Sequence, residues 1–223
     1  MNRCILIPSY VTGQVTNLIT PRDTDLILCA DSGLLHALNA GLIPHAVIGD
    51  MDSLDEAGFD RRQLPKEILW IKAPIEKDQT DTALCMEYAL KQGCDEIVIV
   101  GGLGGRLDHT LANLQNMVGY SHQGIKVSLQ DQNNSVHIIT DQTLALLPLP
   151  GYAVSVLSWT PVSTGVTLTG MAYPLINATL THDFPLGVSN EIIGAQATIQ
   201  VRHGTLLVIC SKKCCLDNLQ PVG

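Results

Sequence analysis

The chain has 223 residues, of which 46% are hydrophobic and 15% are charged, and its formal net charge is −8 at pH 7. These values predict one large or two small globular domains, and the negative charge argues against nucleic acid or an anionic membrane surface as a partner. No apolar run reaches the ~18–20 residues that a membrane-spanning helix requires. Seven cysteines without a Cys-x-x-Cys pair favour a reducing, cytoplasmic compartment.

Strands and helices alternate along the first half of the chain. The predicted strands cover residues 3–8, 25–30, 45–48, 68–72 and 96–100, and the predicted helices cover residues 34–38, 80–92 and 109–120. This alternation predicts a doubly wound, mostly parallel sheet. Ligands bind such sheets beyond the carboxyl ends of the strands, where Asp31, Asp50 and the glycine-rich stretch 101–108 all fall.

The composition changes after Lys126. Short β-type runs follow, punctuated by glycine and proline, and only three of the 21 acidic and three of the 13 basic residues lie beyond residue 147. This pattern predicts a small all-β sandwich or barrel. We therefore expect an α/β domain over residues 1–125 and an all-β domain over residues 126–223, with a hairpin turn at His203-Gly204.

Two aspartates follow the predicted strand at 45–48. Residues i and i+2 of an extended backbone point to the same side, so Asp50 and Asp52 would bring two carboxylates together. Adjacent carboxylates repel each other unless a cation lies between them, and oxygen-only ligands suit Mg²⁺. The alternative is a polar turn in which Asp52 starts a helix near Asp55. This stretch alone leaves both interpretations open.

The segment Lys77-Asp78-Gln79-Thr80-Asp81 lies at the start of the predicted helix at 80–92. Asp78 or Thr80 is suited to cap this helix, and Asp81 suits its first turn because of the helix dipole. Capping explains one or two of the acidic side chains. It does not explain why a lysine, two aspartates and a glutamine converge here, so the segment is a second candidate part of a polar site.

The stretch from Gly101 to His109, Gly-Gly-Leu-Gly-Gly-Arg-Leu-Asp-His, follows a predicted strand and opens a helix. Glycines let backbone amides approach a ligand, and a helix N-terminus favours phosphate. Arg106 is suited to bind a phosphate with two parallel hydrogen bonds, while Asp108 is either a metal ligand or a cap. Glycine-rich turns are weak signals by themselves, and Leu103 breaks the usual dinucleotide-binding fingerprint.

Taken together, four motifs are far more specific than any one of them. They are Ala30-Asp31-Ser32-Gly33, Gly49-Asp50-Met51-Asp52-Ser53, Asp78-Gln79-Thr80-Asp81 and Gly105-Arg106-Leu107-Asp108-His109. In this order and spacing they resemble the thiamine pyrophosphokinase family in its bacterial form. The resemblance continues into the segments 187–191 and 204–209, so it covers nearly the whole chain.

This resemblance implies an α/β domain that binds ATP and Mg²⁺, a β-domain that contacts thiamine, and a homodimer with active sites at the subunit interface. The implied reaction converts ATP and thiamine into AMP and thiamine diphosphate. The residues implied for the ATP–Mg²⁺ site are Asp31, Asp50, Asp52, Gln79, Asp81 and Asp108, with Lys77, Asp78, Thr80, Gly105, Arg106 and His109 in the same motifs. Those implied for thiamine are Ser189 and Asn190.

The implied mechanism is attack of the thiamine hydroxyl on the β-phosphorus of ATP. Asp50, Asp52 and Asp81 would hold Mg²⁺, and Arg106 and Lys77 would offset the remaining phosphate charge. The acceptor of the alcohol proton is either Asp81 or Asp108, and the sequence does not decide between them.

One turn departs from the family pattern, and the role of one tryptophan stays open. Members commonly carry a glycine-containing turn after the first strand, whereas this chain has Pro8-Ser9-Tyr10, and Pro8 has no amide to donate. Trp159 lies in the domain that would hold the thiamine ring, but it is equally suited to a core or interface role.

Two rival functions are weaker. A metal-dependent nucleotide-sugar transferase would use Asp50 and Asp52 but would leave the segment 78–81 and the β-domain without a role. A non-catalytic sensor of thiamine or nucleotide would be expected to lack one of the metal-type aspartates, and the sequence has all of them.

Overall fold

The structure is a computed structural model that describes residues 2–56, 58–60, 62, 64–74 and 78–213. It forms two compact units, which divide the chain between Gln132 and Asn133. Among the described residues, no helix is long and apolar enough to cross a membrane.

The first unit is built on parallel strands that pair in the order β6-β5-β1-β2-β3-β4. Its strands are β1 (Arg3–Ile7), β2 (Leu26–Ala30), β3 (Ala46–Gly49), β4 (Leu69–Lys72), β5 (Glu96–Val100) and β6 (Lys126–Gln130). Its helices are α1 (Val15–Leu18), α2 (Gly33–Asn39), α3 (Asp52–Glu56), α4 (Asp81–Lys91) and α5 (Leu107–Ser121).

The central strands of this sheet are buried on both faces. Ile5 and Ile7 of β1 belong to a core cluster with Leu34 of α2 and Leu54 of α3. Successive side chains of a strand alternate between faces, so the equally buried Leu6 points to the other face of the sheet. Burial on both faces explains why these strands are nearly continuous apolar runs, as is typical of parallel sheets covered by helices.

The second unit is a two-layer sandwich of antiparallel strands. One sheet has the order β12-β9-β14-β7 and the other has the order β11-β10-β13-β8. The strands are β7 (Asn134–Thr140), β8 (Thr143–Leu146), β9 (Tyr152–Ser158), β10 (Val162–Thr169), β11 (Leu175–Thr181), β12 (Gly187–Asn190), β13 (Ala197–Gln200) and β14 (Thr205–Lys212). Val156 and Val208 of the first sheet and Leu168 and Ile199 of the second share one core cluster.

The predicted fold class, a mostly parallel α/β sheet followed by an all-β domain, is confirmed. The prediction of a hairpin turn at His203-Gly204 is wrong. The strands before and after it, β13 and β14, lie in different sheets, so the chain crosses from one layer of the sandwich to the other at this point. Gly204 adopts a φ of +115° there, and its amide donates to Asp141 Oδ1 at 2.8 Å.

Candidate functional site

A cleft of about 620 Å³ opens in the first unit where its parallel strands end. The residues that follow β1, β2, β3 and β5 all contribute to its wall, as expected for a ligand site at the carboxyl edge of a parallel sheet. The lining residues are Pro8, Ser9, Tyr10, Ala30, Asp31, Asp50, Asp52, Ser53, Thr80, Asp81, Thr82, Gly102, Gly104, Arg106, His109 and Asn113.

Asp50 and Asp52 both line the cleft, but the backbone between them is not extended. Met51 adopts a left-handed φ of +70°, and its side chain is only 1% exposed. The turn therefore buries Met51 in the core while the two carboxylates stay at the cleft. Asp52 is the first residue of α3, and its amide lies 3.4 Å from Asp50 Oδ1. Asp52 thus starts the helix while both aspartates line the cleft, so the two interpretations that the sequence leaves open are compatible.

Asp31 is the most deeply buried carboxylate of the cleft. It follows β2 with a φ of +47°, its amide donates to Ile48 O at 3.0 Å, and the residue is 5% exposed. Within the described part of the chain, its buried Oδ1 atom has no hydrogen-bond partner. A buried polar atom of this kind is costly unless a ligand satisfies it, so this oxygen is suited to bind a cation or a donor group of a substrate.

The start of α4 supplies two more polar groups. Thr80 caps the helix by accepting a hydrogen bond from Ala83 N at 3.2 Å, and Asp81 is the first helical residue. Both line the cleft, whereas the exposed residues Asp78 and Gln79 are not among its lining residues. Lys77 lies outside the described residues.

Three backbone amides of the glycine-rich loop form hydrogen bonds with other residues of the first unit. The Gly101 amide donates to Gln130 O at 2.8 Å, Gly102 N donates to Tyr10 O at 2.7 Å, and Gly104 N donates to Thr110 Oγ1 at 3.1 Å. These three amides are therefore already engaged. They are not available to bind a phosphate, although the sequence suggests that role. Contacts to a phosphate would therefore come mainly from side chains at the end of the loop.

Arg106 and Asp108 form an exposed two-bond ion pair. Arg106 Nε lies 3.1 Å from Asp108 Oδ1, and Nη2 lies 2.5 Å from Oδ2. This hydrogen bonding lowers the pKa of the Asp108 carboxyl and raises the pKa of the Arg106 guanidinium. Arg106 and His109 line the cleft, whereas Asp108 is not among the lining residues. An exposed pair of this kind contributes little to stability and can exchange for another anion.

Sequence reasoning missed two substantial parts of the cleft, Tyr10 and Asn113. Asn113 is 5% exposed, and its Nδ2 donates to Gly102 O at 3.0 Å, which holds the glycine-rich loop against α5. The available signal was an amide side chain four residues before the buried Met117, on the apolar face of the helix.

The residues expected to contact thiamine lie in the second unit. Ser189 is exposed, with a φ of +60°, and its amide donates to Ser155 Oγ at 3.1 Å. Asn190 is 3% exposed and forms hydrogen bonds with the backbone N and O of Tyr173 at 3.0 and 2.7 Å. Trp159 is half-buried beyond the end of β9, and its amide donates to Thr205 O at 2.8 Å.

Two family models match the chain in succession. The model described as thiamin pyrophosphokinase, catalytic domain, matches residues 20–129, and the model described as thiamin pyrophosphokinase, vitamin B1 binding domain, matches residues 136–206. The chain belongs to the thiamine pyrophosphokinase family. The predicted family and its enzyme class, a diphosphotransferase of thiamine diphosphate synthesis, are thereby confirmed.

Individual relatives agree with this family assignment. The chain is 34% identical to the thiamine pyrophosphokinase of Bacillus subtilis over 81% of its own length and 85% of that protein. The crystal structure of the Bacillus subtilis thiamine pyrophosphokinase superposes with a TM-score of 0.82 at 31% identity, covering 94% of this chain and 99% of that one. The crystal structure of the enzyme from Geobacillus thermodenitrificans gives the same TM-score at 26% identity, covering 96% and 99% of the two chains.

Proposed function

We propose that the cleft of the first unit binds ATP together with Mg²⁺ and passes the pyrophosphoryl group of ATP to the hydroxyl of thiamine, releasing AMP. The observation that carries this proposal is the convergence of separate chain segments on one cleft. Asp31, Asp50, Asp52 and Asp81 line it together with Arg106. Carboxylates beside an arginine suit a ligand that is both anionic and metal-bound.

The carboxylates of the cleft fit a magnesium ion by their chemistry. Asp50, Asp52 and Asp81 offer oxygen donors, and the unpartnered Oδ1 of Asp31 adds a buried acceptor beside them. In the described part of the chain, no three His, Cys, Asp or Glu side chains already surround a common point. Mg²⁺ usually keeps waters and binds one or two carboxylates plus substrate phosphates, so a site of this kind is completed by ATP. When bound, the ion neutralises charge on the phosphate oxygens.

The chain's own groups align the phosphates and accept the proton. Arg106 exchanges Asp108 for phosphate oxygens and keeps two parallel hydrogen bonds. Asp81 lines the cleft, whereas Asp108 is not among its lining residues, which favours Asp81 as the acceptor of the thiamine hydroxyl proton. Gln79, Asp78, Thr80, Gly105 and His109 belong to the segments that shape this site.

A test of this site uses Arg106→Lys. Lysine keeps the charge but cannot reproduce the two-bond geometry, so we expect kcat/KM for ATP to fall by about tenfold while thiamine binding is largely kept. The readout is AMP and thiamine diphosphate formation, separated by liquid chromatography from ATP, Mg²⁺ and thiamine.

Arg62→Lys is the matched control, because Arg62 forms a similar two-bond pair with Asp60 at 2.9 and 3.1 Å outside the cleft. Its kinetics should equal those of the wild type. A loss of thiamine affinity in Arg106→Lys with unchanged ATP kinetics would contradict the proposed phosphate role. ADP as the product would indicate transfer of a single phosphoryl group instead.

We further propose that the enzyme is a homodimer in which Ser189 and Asn190 of one subunit complete the site of the other. Several large apolar side chains on the second unit are exposed, and a partner surface would cover them. They include Tyr173, Ile176, Phe184, Val188 and Ile193, which are 49–86% exposed.

Subunit mixing tests the shared site. Asp52→Asn and Ser189→Lys are each expected to be weakly active, the second because a lysine would repel the thiazolium cation. When the two variants are mixed in equal amounts, random exchange makes about half of the dimers heterodimers. In each heterodimer one site carries both defects and the other carries neither, so activity should return to about a quarter of the wild-type value. Native mass spectrometry confirms the exchange. Heterodimers without any regained activity would show that each site is built from a single chain.

A cytoplasmic location accords with the cysteine chemistry of the described residues. Cys4, Cys29, Cys85, Cys94 and Cys210 are buried free thiols. Burial raises the pKa of the Cys29 thiol and keeps it protonated and unreactive. We propose the cytoplasm as the compartment on this basis.

A further inference from the structure

The ring of Tyr10 rests on the glycine-rich loop. A Cβ atom added at Gly105 would lie 2.8 Å from Tyr10 Cε2, and one added at Gly104 would lie 3.4 Å from Cε1. These ring atoms belong to opposite edges of the phenol, so the loop lies close to the ring at both edges. Both glycines have positive φ, at +63° and +86°, which strains any other residue there, and a side chain at Gly105 would also displace the ring.

The backbone of Tyr10 is fixed by the same loop. Its carbonyl oxygen accepts the hydrogen bond from Gly102 N, and a Cβ atom at Gly101 would come within 2.6 Å of that oxygen. The preceding residue, Ser9, donates through Oγ to Ala30 O at 3.2 Å. The glycines of the loop thus make room for Tyr10 and fix its backbone.

Tyr10 also belongs to the wall of the cleft. Tyr10 is 45% exposed and lines the cavity together with Asp31 and Arg106. Among the described lining residues, the only other aromatic ring is that of His109. An aromatic ring that packs against the loop and stays partly exposed in the cavity offers a stacking surface that loses little conformational freedom on binding.

We propose that Tyr10 is the platform on which the adenine ring of ATP stacks. This inference rests on the proposal that ATP binds in this cleft. Arg106 and the carboxylates suit the triphosphate and its metal ion, but none of them offers a flat apolar surface to an uncharged base. Tyr10 does so in the same cavity, and it would make the site prefer a nucleoside triphosphate over a bare polyphosphate.

The test compares binding of ATP and of inorganic triphosphate, each with Mg²⁺, by titration calorimetry. Tyr10→Ala should weaken ATP binding by about tenfold, in line with the loss of one base–aromatic stack, and should leave triphosphate binding within about twofold of the wild type. Tyr10→Phe keeps the ring and should bind both ligands like the wild type. Ile43→Ala, which removes another exposed apolar side chain of the same unit, should change neither.

Several results would overturn the proposal. If Tyr10→Ala weakens the binding of ATP and of triphosphate equally, Tyr10 only shapes the loop. If the binding of both ligands is unchanged, Tyr10 does not contribute to binding. Weakened thiamine binding with intact ATP binding would assign the ring to the other substrate. Tyr10→Leu, which keeps apolar bulk over the glycines but lacks the flat ring, covers the case in which the alanine variant unfolds, and it too should weaken ATP binding selectively.

A failure of the underlying site is distinguishable from a failure of the platform. If the phosphates bind elsewhere, Arg106→Lys will leave the Kd of triphosphate unchanged. If only the platform is wrong, Arg106→Lys will weaken triphosphate binding while Tyr10→Ala leaves ATP binding intact.

Discussion

Replacing Asp50 or Asp52 with asparagine is expected to lower kcat by about 10²-fold or more, because metal-ion stabilisation of the transferring phosphate is worth several kcal/mol. Asparagine keeps the size of the side chain but removes one negative charge from a site proposed to hold Mg²⁺. The fold should persist, since both residues line the open cleft and the substitution relieves repulsion between neighbouring carboxylates. Steady-state rates at saturating Mg²⁺, ATP and thiamine provide the measurement.

Asp55→Asn is the control for this experiment. Asp55 belongs to the same helix, α3, but is exposed and is not among the residues lining the cleft. The substitution makes the same change in net charge and should leave kcat within about twofold. Turnover near the wild-type level in both cleft variants would remove Asp50 and Asp52 from the catalytic machinery.

The second large effect is on stability. Gly33 begins α2 directly against β1, and a Cβ atom there would overlap the carbonyl oxygen of Ile7 and crowd that of Pro8. Backbone atoms at the end of a central strand cannot move aside as a flexible side chain can. Gly33→Ala should therefore lower the free energy of unfolding by about 3 kcal/mol, at the upper end of overpacking effects.

Gly119→Ala is the matched comparison in another helix. Gly119 lies in α5, is exposed, and has no atom within 4 Å of its added Cβ. Alanine is preferred over glycine in a helix, so this substitution should stabilise the protein by about 0.5–1 kcal/mol. Urea denaturation of both variants measures the difference. A wild-type midpoint for Gly33→Ala would show that α2 can move away from β1 at little cost.

Elements with strong local signals were predictable from the sequence. The predicted strand at 96–100 coincides with β5, since four apolar, β-branched residues stand there before Gly101. The start of α4 follows from its Thr80 cap and its end from Gly93. The acidic part of the cleft was also foreseeable, because residues that follow parallel strands meet at one edge of the sheet.

Other features depend on contacts between distant segments. The sequence of β12 carries no local strand signal, because Gly187, Ser189 and Asn190 are poor strand formers, and its pairing with β9 is interrupted between Gly187 and Asn190. The position of the Tyr10 ring follows from its packing on a loop about 95 residues away, which no local pattern encodes. The sequence left an extended backbone and a polar turn open at Met51, and the left-handed conformation of this residue, with its side chain buried in the core, excludes the extended one.

Met51 combines a left-handed backbone with a fully buried side chain, so core packing and the backbone of the turn depend on the same residue. A residue that favours positive φ, such as glycine, would suit the backbone at position 51 but would leave the space now filled by a fully buried side chain. Other large apolar residues fill the core but disfavour that backbone. Evolutionary drift or engineering for heat resistance at this position therefore acts on the core and on the spacing of Asp50 and Asp52 at the same time. The turn restricts how far this enzyme can be stabilised without altering the proposed metal site.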